Sequence, residues 1–190
     1  DLIKEVGYLN RELHGCNYRY TIITNGATNG LLAAIIACKD NKTSSVQTGK
    51  EYFSFYPGII AQSNLRHVKK KGDILLLDSP SNPRGDIKGV DLKRTQKGFV
   101  SEKNDTYKSI VWDACYHSPV FGLSMKEDDD GIPLTVPAHD LIVSSMSKSF
   151  GLPGLRVGWV STNEKGLYDK ALNYVTHNLC GVSAYSQDIA

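Results

Sequence analysis

Lys148 sits in a run of small and hydroxylated residues, Ser144-Ser145-Met146-Ser147-Lys148-Ser149, and Arg156 follows just beyond Pro153-Gly154-Leu155. A lysine amine condenses with carbonyl groups, and an arginine guanidinium grips phosphate through two parallel N–H donors. The serine hydroxyls beside the lysine add further donors. Together these residues suit a ligand that is at once an aldehyde and a phosphate ester. Two ordinary surface charges on a loop would spell the same letters, so the rest of the chain has to decide.

Three further stretches carry residues of the same chemical kind. Between the β-rich run Tyr18–Ile23 and the apolar segment Leu31–Cys38 lies Thr24-Asn25-Gly26-Ala27-Thr28-Asn29-Gly30. Such a strand, small-residue turn and helix start gathers unpaired N–H groups at the positive end of a helix dipole, where phosphate binds. Gly26 and Ala27 keep side chains clear and Thr28 adds a hydroxyl, although neither GxxxxGK nor GxGxxG is present. In Asp78-Ser79-Pro80-Ser81-Asn82-Pro83, the following proline holds Asn82 extended, which aims its amide at a fixed point. Asp113 ends the apolar run Ser109–Trp112 and is followed by Ala114-Cys115-Tyr116; an acid there is costly unless it has a partner. Phe53, in the aromatic cluster Tyr52–Tyr56, is a candidate to stack on a flat heterocycle, with Tyr56 as the second choice. Pyridoxal 5′-phosphate (PLP) is such a heterocycle, aldehyde and phosphate ester.

The elements that must position these residues follow from periodicity. Leu2, Ile3, Val6, Leu9 and Leu13 recur at helical spacing, predicting a helix over residues 2–14 ended by Gly15. Strands are expected at Tyr18–Ile23, Ser45–Phe55, Ile74–Leu77, Ser109–Trp112 and Leu141–Val143, with an antiparallel run at Arg156–Ser161. Helices are expected at Leu31–Cys38, Ile59–Val68 and Glu164–His177, and the last residues start another. Asp86–Asn104 reads as a polar helix plus loop, and residues 118–137 as a Pro/Gly/Asp-rich loop. Strand and helix alternate, with chemistry-bearing residues at strand ends. The expected fold is therefore a three-layer αβα architecture around an open, mostly parallel sheet, its site along the carboxyl edge.

The composition sets outer limits. The 190 residues are 41% hydrophobic and 22% charged, as in an ordinary globular domain. Lys and Arg number 22 against 20 Asp and Glu, a net charge of +2, which gives no electrostatic case for nucleic acid or an acidic membrane. The apolar stretch Leu31–Cys38 is far too short to span a bilayer. The four cysteines show no metal-binding or redox spacing, so no metal is expected, and scattered single thiols fit a reducing compartment, with the cytoplasm as the default.

Taken in order, these motifs resemble the large domain of fold-type I PLP-dependent enzymes, the class I/II aminotransferases. Asn82-Pro83 resembles the family's Asn-Pro pair and Asp113-Ala114-Cys115-Tyr116 its Asp-x-x-Tyr. Ser145-Met146-Ser147-Lys148 with Pro153-Gly154-Leu155-Arg156-Val157-Gly158 resembles its Ser-x-Ser-Lys and Pro-Gly-x-Arg-x-Gly. The resemblance covers about residues 20–185. It implies that Lys148 forms a Schiff base with PLP and acts as acid and base, and that Asp113 partners the pyridine N–H. It also implies that Tyr116 and Asn82 meet the phenolic oxygen, that Phe53 stacks on the ring, and that Arg156, Ser145, Ser147 and the Gly26-Ala27-Thr28 turn hold the phosphate. His117 is expected to be a structural neighbour rather than a second base. Residues 1–190 would be a PLP-binding large domain without the family's N-terminal segment and small C-terminal domain. The implied activity is amino transfer between an amino acid and a 2-oxo acid, in a homodimer with its site near the subunit interface. PLP-dependent lyases, decarboxylases and cyclases share every one of these motifs. A PLP-sensing effector domain of a transcription regulator is a non-enzymatic alternative.

Overall fold

The computed structural model describes residues 1–88, 91–117, 136–178 and 181–190. The loop expected over 118–137 therefore lies, apart from its last two residues, outside the described residues. The chain runs α1 (Leu2–His14), β1 (Tyr20–Asn25), α2 (Gly26–Cys38), β2 (Ser45–Gln47), α3 (Tyr56–Gln62), β3 (Arg66–Val68), β4 (Ile74–Asp78), β5 (Lys93–Thr95), β6 (Gly98–Val100), β7 (Thr106–Tyr107), β8 (Ser109–Asp113), β9 (Leu141–Ser145), α4 (Met146–Ser149), a 3-10 turn (Pro153–Leu155), β10 (Val157–Thr162), α5 (Lys165–Asn178) and α6 (Ala184–Ile189). Seven strands form one sheet in the order β1-β10-β9-β8-β4-β2-β3. The pairs β2–β3, β2–β4, β4–β8 and β8–β9 are parallel, whereas β10 is antiparallel to both β9 and β1.

Strand alternation sends neighbouring residues to opposite faces of this sheet. One set (Ile22, Val46, Ile74, Leu76, Val111, Leu141, Val143, Val160) packs against α2, α3 and α5. On the other face, Trp159 and Val157 meet Val6 of α1, and Leu75, Leu77 and Ile110 meet Phe99 and Tyr107 of a small antiparallel sheet, β5-β6-β7. The result is the expected three-layer α/β architecture, with one outer layer built partly from strands. Asn10 ties α1 down: its amide donates to Ser161 Oγ at 3.0 Å, and its carbonyl oxygen accepts from the Trp159 indole N–H at 3.0 Å.

Four expectations need correction. The helix expected within Asp86–Asn104 is a β-hairpin, because Gly98 at φ 127° turns the chain and Phe99 and Tyr107 alternate inward over Leu75 and Leu77. The helix expected over Ile59–Val68 ends at Gln62, where Asn64 adopts a left-handed φ of 57°. Residues 66–68 then become a strand beside β2. The strand expected over Ser45–Phe55 lasts only to Gln47, and the aromatic cluster leads through a turn at residues 54–55 into α3, which starts at Tyr56. The helix expected from Leu31 begins at Gly26, so the small-residue turn is its first turn.

A buried imidazole group lies under α1. His14 Nδ1 and His117 Nδ1 are 2.9 Å apart, so one holds the proton that the other accepts, and both rings meet Trp112 edge-on. His139 bonds Tyr18 Oη at 2.6 Å. Burial, then the neighbouring imidazoles, push His14 well below the usual range, and burial brings His139 down to about 4. A histidine neutral in the fold but free to protonate near pH 6.5 when unfolded contributes stability that is complete above that pH and lost on acidification towards pH 4. Urea unfolding should show a lower midpoint at pH 5 than at pH 7.5, and His14→Phe should reduce that fall. An unchanged fall would assign the acid sensitivity to other groups.

Candidate active site

Parallel register gathers three functional strand ends at one edge, with β9 running two residues beyond Val143, the partner of Asp113. Asp78, Asp113 and Ser145 are the last residues of β4, β8 and β9, and Asp78 lies directly opposite Asp113. This carboxyl edge opens into a cavity of about 180 Å³ lined by Ala27, Thr28, Phe53, Asn82, Asp113, Tyr116, Ser145, Ser147, Lys148 and Arg156. The structure thus places these expected site residues around one space, with Gly26 behind Arg156 at its wall. His117 instead bonds His14 beneath the sheet.

Ser145 ends β9 and caps α4, its hydroxyl accepting from the Ser147 N–H at 3.4 Å, and the single helical turn that follows presents an exposed Lys148. The Nζ lies 5.6 Å from the centre of the Tyr116 ring. After Gly151 and the 3-10 turn, Arg156 takes a left-handed φ of 55° that swings the chain into β10. Its guanidinium donates to the Pro153 carbonyl at 3.1 Å and abuts Gly26, where a Cβ would collide with it. Gly26 also has a φ of 73°, so glycine is required there twice over. On the neighbouring strand, a Cβ on Gly158 would come within 2.7 Å of the Ala27 nitrogen. The two glycines let the first turn of α2 press against Arg156. Asn25 makes no side-chain cap to that helix, which leaves its first N–H groups, those near Ala27 and Thr28, for an anion.

Asp113 is the buried acid of the site. Its Oδ2 accepts from the Tyr56 hydroxyl at 2.7 Å and its Oδ1 from the Cys115 N–H at 3.1 Å. Burial raises its pKa, and these two donors oppose the rise by favouring the carboxylate. Among the described residues Asp113 has no ion-pair partner, unlike Asp78, which pairs with Lys88 at 3.2 Å. A buried carboxylate so placed suits a cationic ligand group. The Asn82 amide donates to Tyr116 Oη at 3.3 Å, which sets two polar side chains at one point of the wall. Phe53 stands at the cavity with its ring stacked near Phe55, centroids 5.2 Å apart. Tyr56 also lines the cavity, buried, with its hydroxyl engaged by Asp113.

Sequence reasoning missed Asp78 and the Tyr56–Asp113 bond. A signal for Asp78 was available, because it ends an entirely apolar strand just as Asp113 does. The donor set fits PLP: an amine, a buried carboxylate with no ion-pair partner among the described residues, and a helix start, an arginine and two serine hydroxyls for a phosphate.

Residues 61–190 match the sequence model for aminotransferase class I and II. Tryptophan aminotransferase-related protein 2 of Arabidopsis thaliana is 28% identical over 185 residues, covering 89% of this chain and 37% of that protein. Alliin lyase 1 of Allium sativum is 23% identical over 179 residues, covering 89% of this chain and 35% of that one. The fold is similar to that of an aminotransferase from Staphylococcus aureus, with a TM-score of 0.71 and 19% identity, over 98% of this chain and 54% of that one. The chain thus spans little more than a third of the length of these curated relatives, 37% and 35%.

Proposed function

The chain belongs to the aminotransferase class I and II family, and from that premise we propose that it is the PLP-binding large domain of an aminotransferase that moves an amino group between an amino acid and a 2-oxo acid. The observation that carries this reading is the convergence of Lys148, the carboxylate of Asp113 and Arg156 on one cavity at the carboxyl edge of the sheet. When bound, PLP supplies an aldehyde that condenses with amines and a protonated ring that takes up electrons. Lys148 offers its Nζ for covalent attachment and then moves a proton at the substrate's α-carbon. Asp113 holds the proton on the ring nitrogen. Asn82 and Tyr116 offer donors to the ring oxygen, and Phe53 covers a ring face. Arg156, Ser145, Ser147 and the first N–H groups of α2 meet the phosphate.

A homodimer with the site near the subunit interface accords with the exposed Phe55, Phe150 and Leu152, sequence neighbours of Phe53 and Lys148. The described cysteines, Cys16, Cys38 and Cys115, are free thiols, which accords with a reducing compartment such as the cytoplasm. No helix among the described residues is long and apolar enough to cross a membrane.

The similarity to alliin lyase 1 favours a second reading, a PLP-dependent lyase of the same fold. Incubating the PLP-loaded full-length protein with single amino acids separates the two. Transamination converts the cofactor to pyridoxamine 5′-phosphate with release of one 2-oxo acid per site. Continuous release of ammonia together with a 2-oxo acid, without that conversion, would establish the lyase.

A further inference from the structure

We propose that the Asp78–Lys88 ion pair is a positioning device that fixes where Asn82 presents its amide beside Tyr116. Asp78 is 4% exposed and lines the same cavity as Asp113, on the adjoining strand end. Its two oxygens do different work. Oδ1 accepts from Lys88 Nζ at 3.2 Å, and Oδ2 accepts from the backbone N–H of Asn82 at 3.2 Å. One carboxylate therefore grips both the apex and the far end of the segment that carries Asn82.

The rest of that segment is laced to the same purpose. The Lys88 N–H donates to Ser79 Oγ at 2.8 Å while that hydroxyl donates to the Lys88 carbonyl at 3.1 Å, closing the base. Higher up, the Ser81 N–H donates to the Asp86 carbonyl at 2.9 Å and the Asp86 N–H to Ser81 Oγ at 3.2 Å. Space for the ion pair comes from β2's end: a Cβ on Gly49 would lie 3.2 Å from Lys88 Nζ and 3.9 Å from Asp78 Oδ1. The side chain of Lys88 is 27% exposed, against 5% for Asp78, so the lysine reaches inward from the surface to a carboxylate that burial alone would neutralise. Lys88 also balances the second acid of the cavity, which leaves Asp113 as the acid facing the ligand without a protein cation among the described residues.

The inference rests on the reading of this cavity as a PLP site, where Asn82 meets the ring oxygen and thereby sets the pH at which the visible band of the lysine-bound cofactor changes. The test compares the full-length wild type with Asn82→Ala, Asp78→Ala, the double variant, Lys88→Met and Lys88→Arg. The readouts are PLP affinity and the midpoint pH of that band. Asp78→Ala and Lys88→Met should each shift the midpoint in the direction of Asn82→Ala and weaken PLP binding about two- to tenfold, the range expected for one lost hydrogen bond. Lys88→Arg should restore the wild-type midpoint. The double variant should shift no further than Asn82→Ala alone, since both changes remove one interaction. Additive shifts, or a wild-type midpoint in Lys88→Met, would overturn the proposal. A wild type that gives no visible band with PLP would overturn the cofactor reading, and this inference with it.

Discussion

Lys148→Ala, in the full-length protein, should carry no PLP that borohydride fixes to a lysine. Lys148 is solvent-exposed on a single helical turn, and alanine is the best helix former, so the substitution leaves the fold intact. Thermal unfolding without cofactor should therefore stay at the wild-type midpoint. PLP should still bind reversibly through Arg156, the serines and the helix start, because those groups are held by the turn before β10, by β9 and α4, and by α2 independently of the lysine side chain. Turnover should fall by at least about 10²–10⁴-fold, the usual contribution of a positioned acid–base group, before the lost attachment is counted. Mass spectrometry after borohydride treatment gives a direct answer. A reduced lysine adduct in the variant would place the attachment elsewhere and remove the basis of the proposed chemistry.

Asp113→Asn should be the second most damaging change, costing about 10²–10³-fold in kcat, the range for removing one preorganised electrostatic partner from a buried site. Asparagine keeps the shape of the aspartate. Its carbonyl can accept from the Cys115 N–H, and its amide can face Tyr56 Oη, which then accepts instead of donating. Packing survives while the charge is lost, and with it the ability to hold a proton on the ring nitrogen. Phe53→Tyr serves as the contrast: it keeps an aromatic face at the half-buried cavity edge and should change kcat only a few-fold. Equal losses in the two variants would show that Asp113 is not the electrostatic partner assigned to it.

Much of this site was legible because its motifs are local. Ser145, Ser147 and Lys148 lie on one strand end and one helical turn, and Arg156 follows after a proline-glycine break that reverses the chain. Asn82 before Pro83, and Tyr116 after Asp113, are fixed by similarly short geometry. The secondary structure was legible where hydrophobic runs were long, as in α1, β4, β8 and β9. It failed where a single residue ended an apparently continuous pattern: Asn64 cut one apolar run into α3 and β3, and Gly98 turned an expected helix into the hairpin β5–β6.

The sequence by itself determined which residues are candidates for the chemistry, and that they stand at or just beyond strand ends, because residue type and short-range turn geometry are written in neighbouring letters. Only the tertiary structure decided who partners whom. The strand order β9-β8-β4 put Asp113 between Val143 and Asp78, two residues short of Ser145. Packing of α3 on the sheet gave the Tyr56 hydroxyl to Asp113. The fold of the Ser79–Lys88 segment brought Lys88 back onto Asp78. Burial makes each of these pairings necessary, since a polar group removed from water must find a partner. Which partner it finds depends on elements that meet only when the sheet assembles.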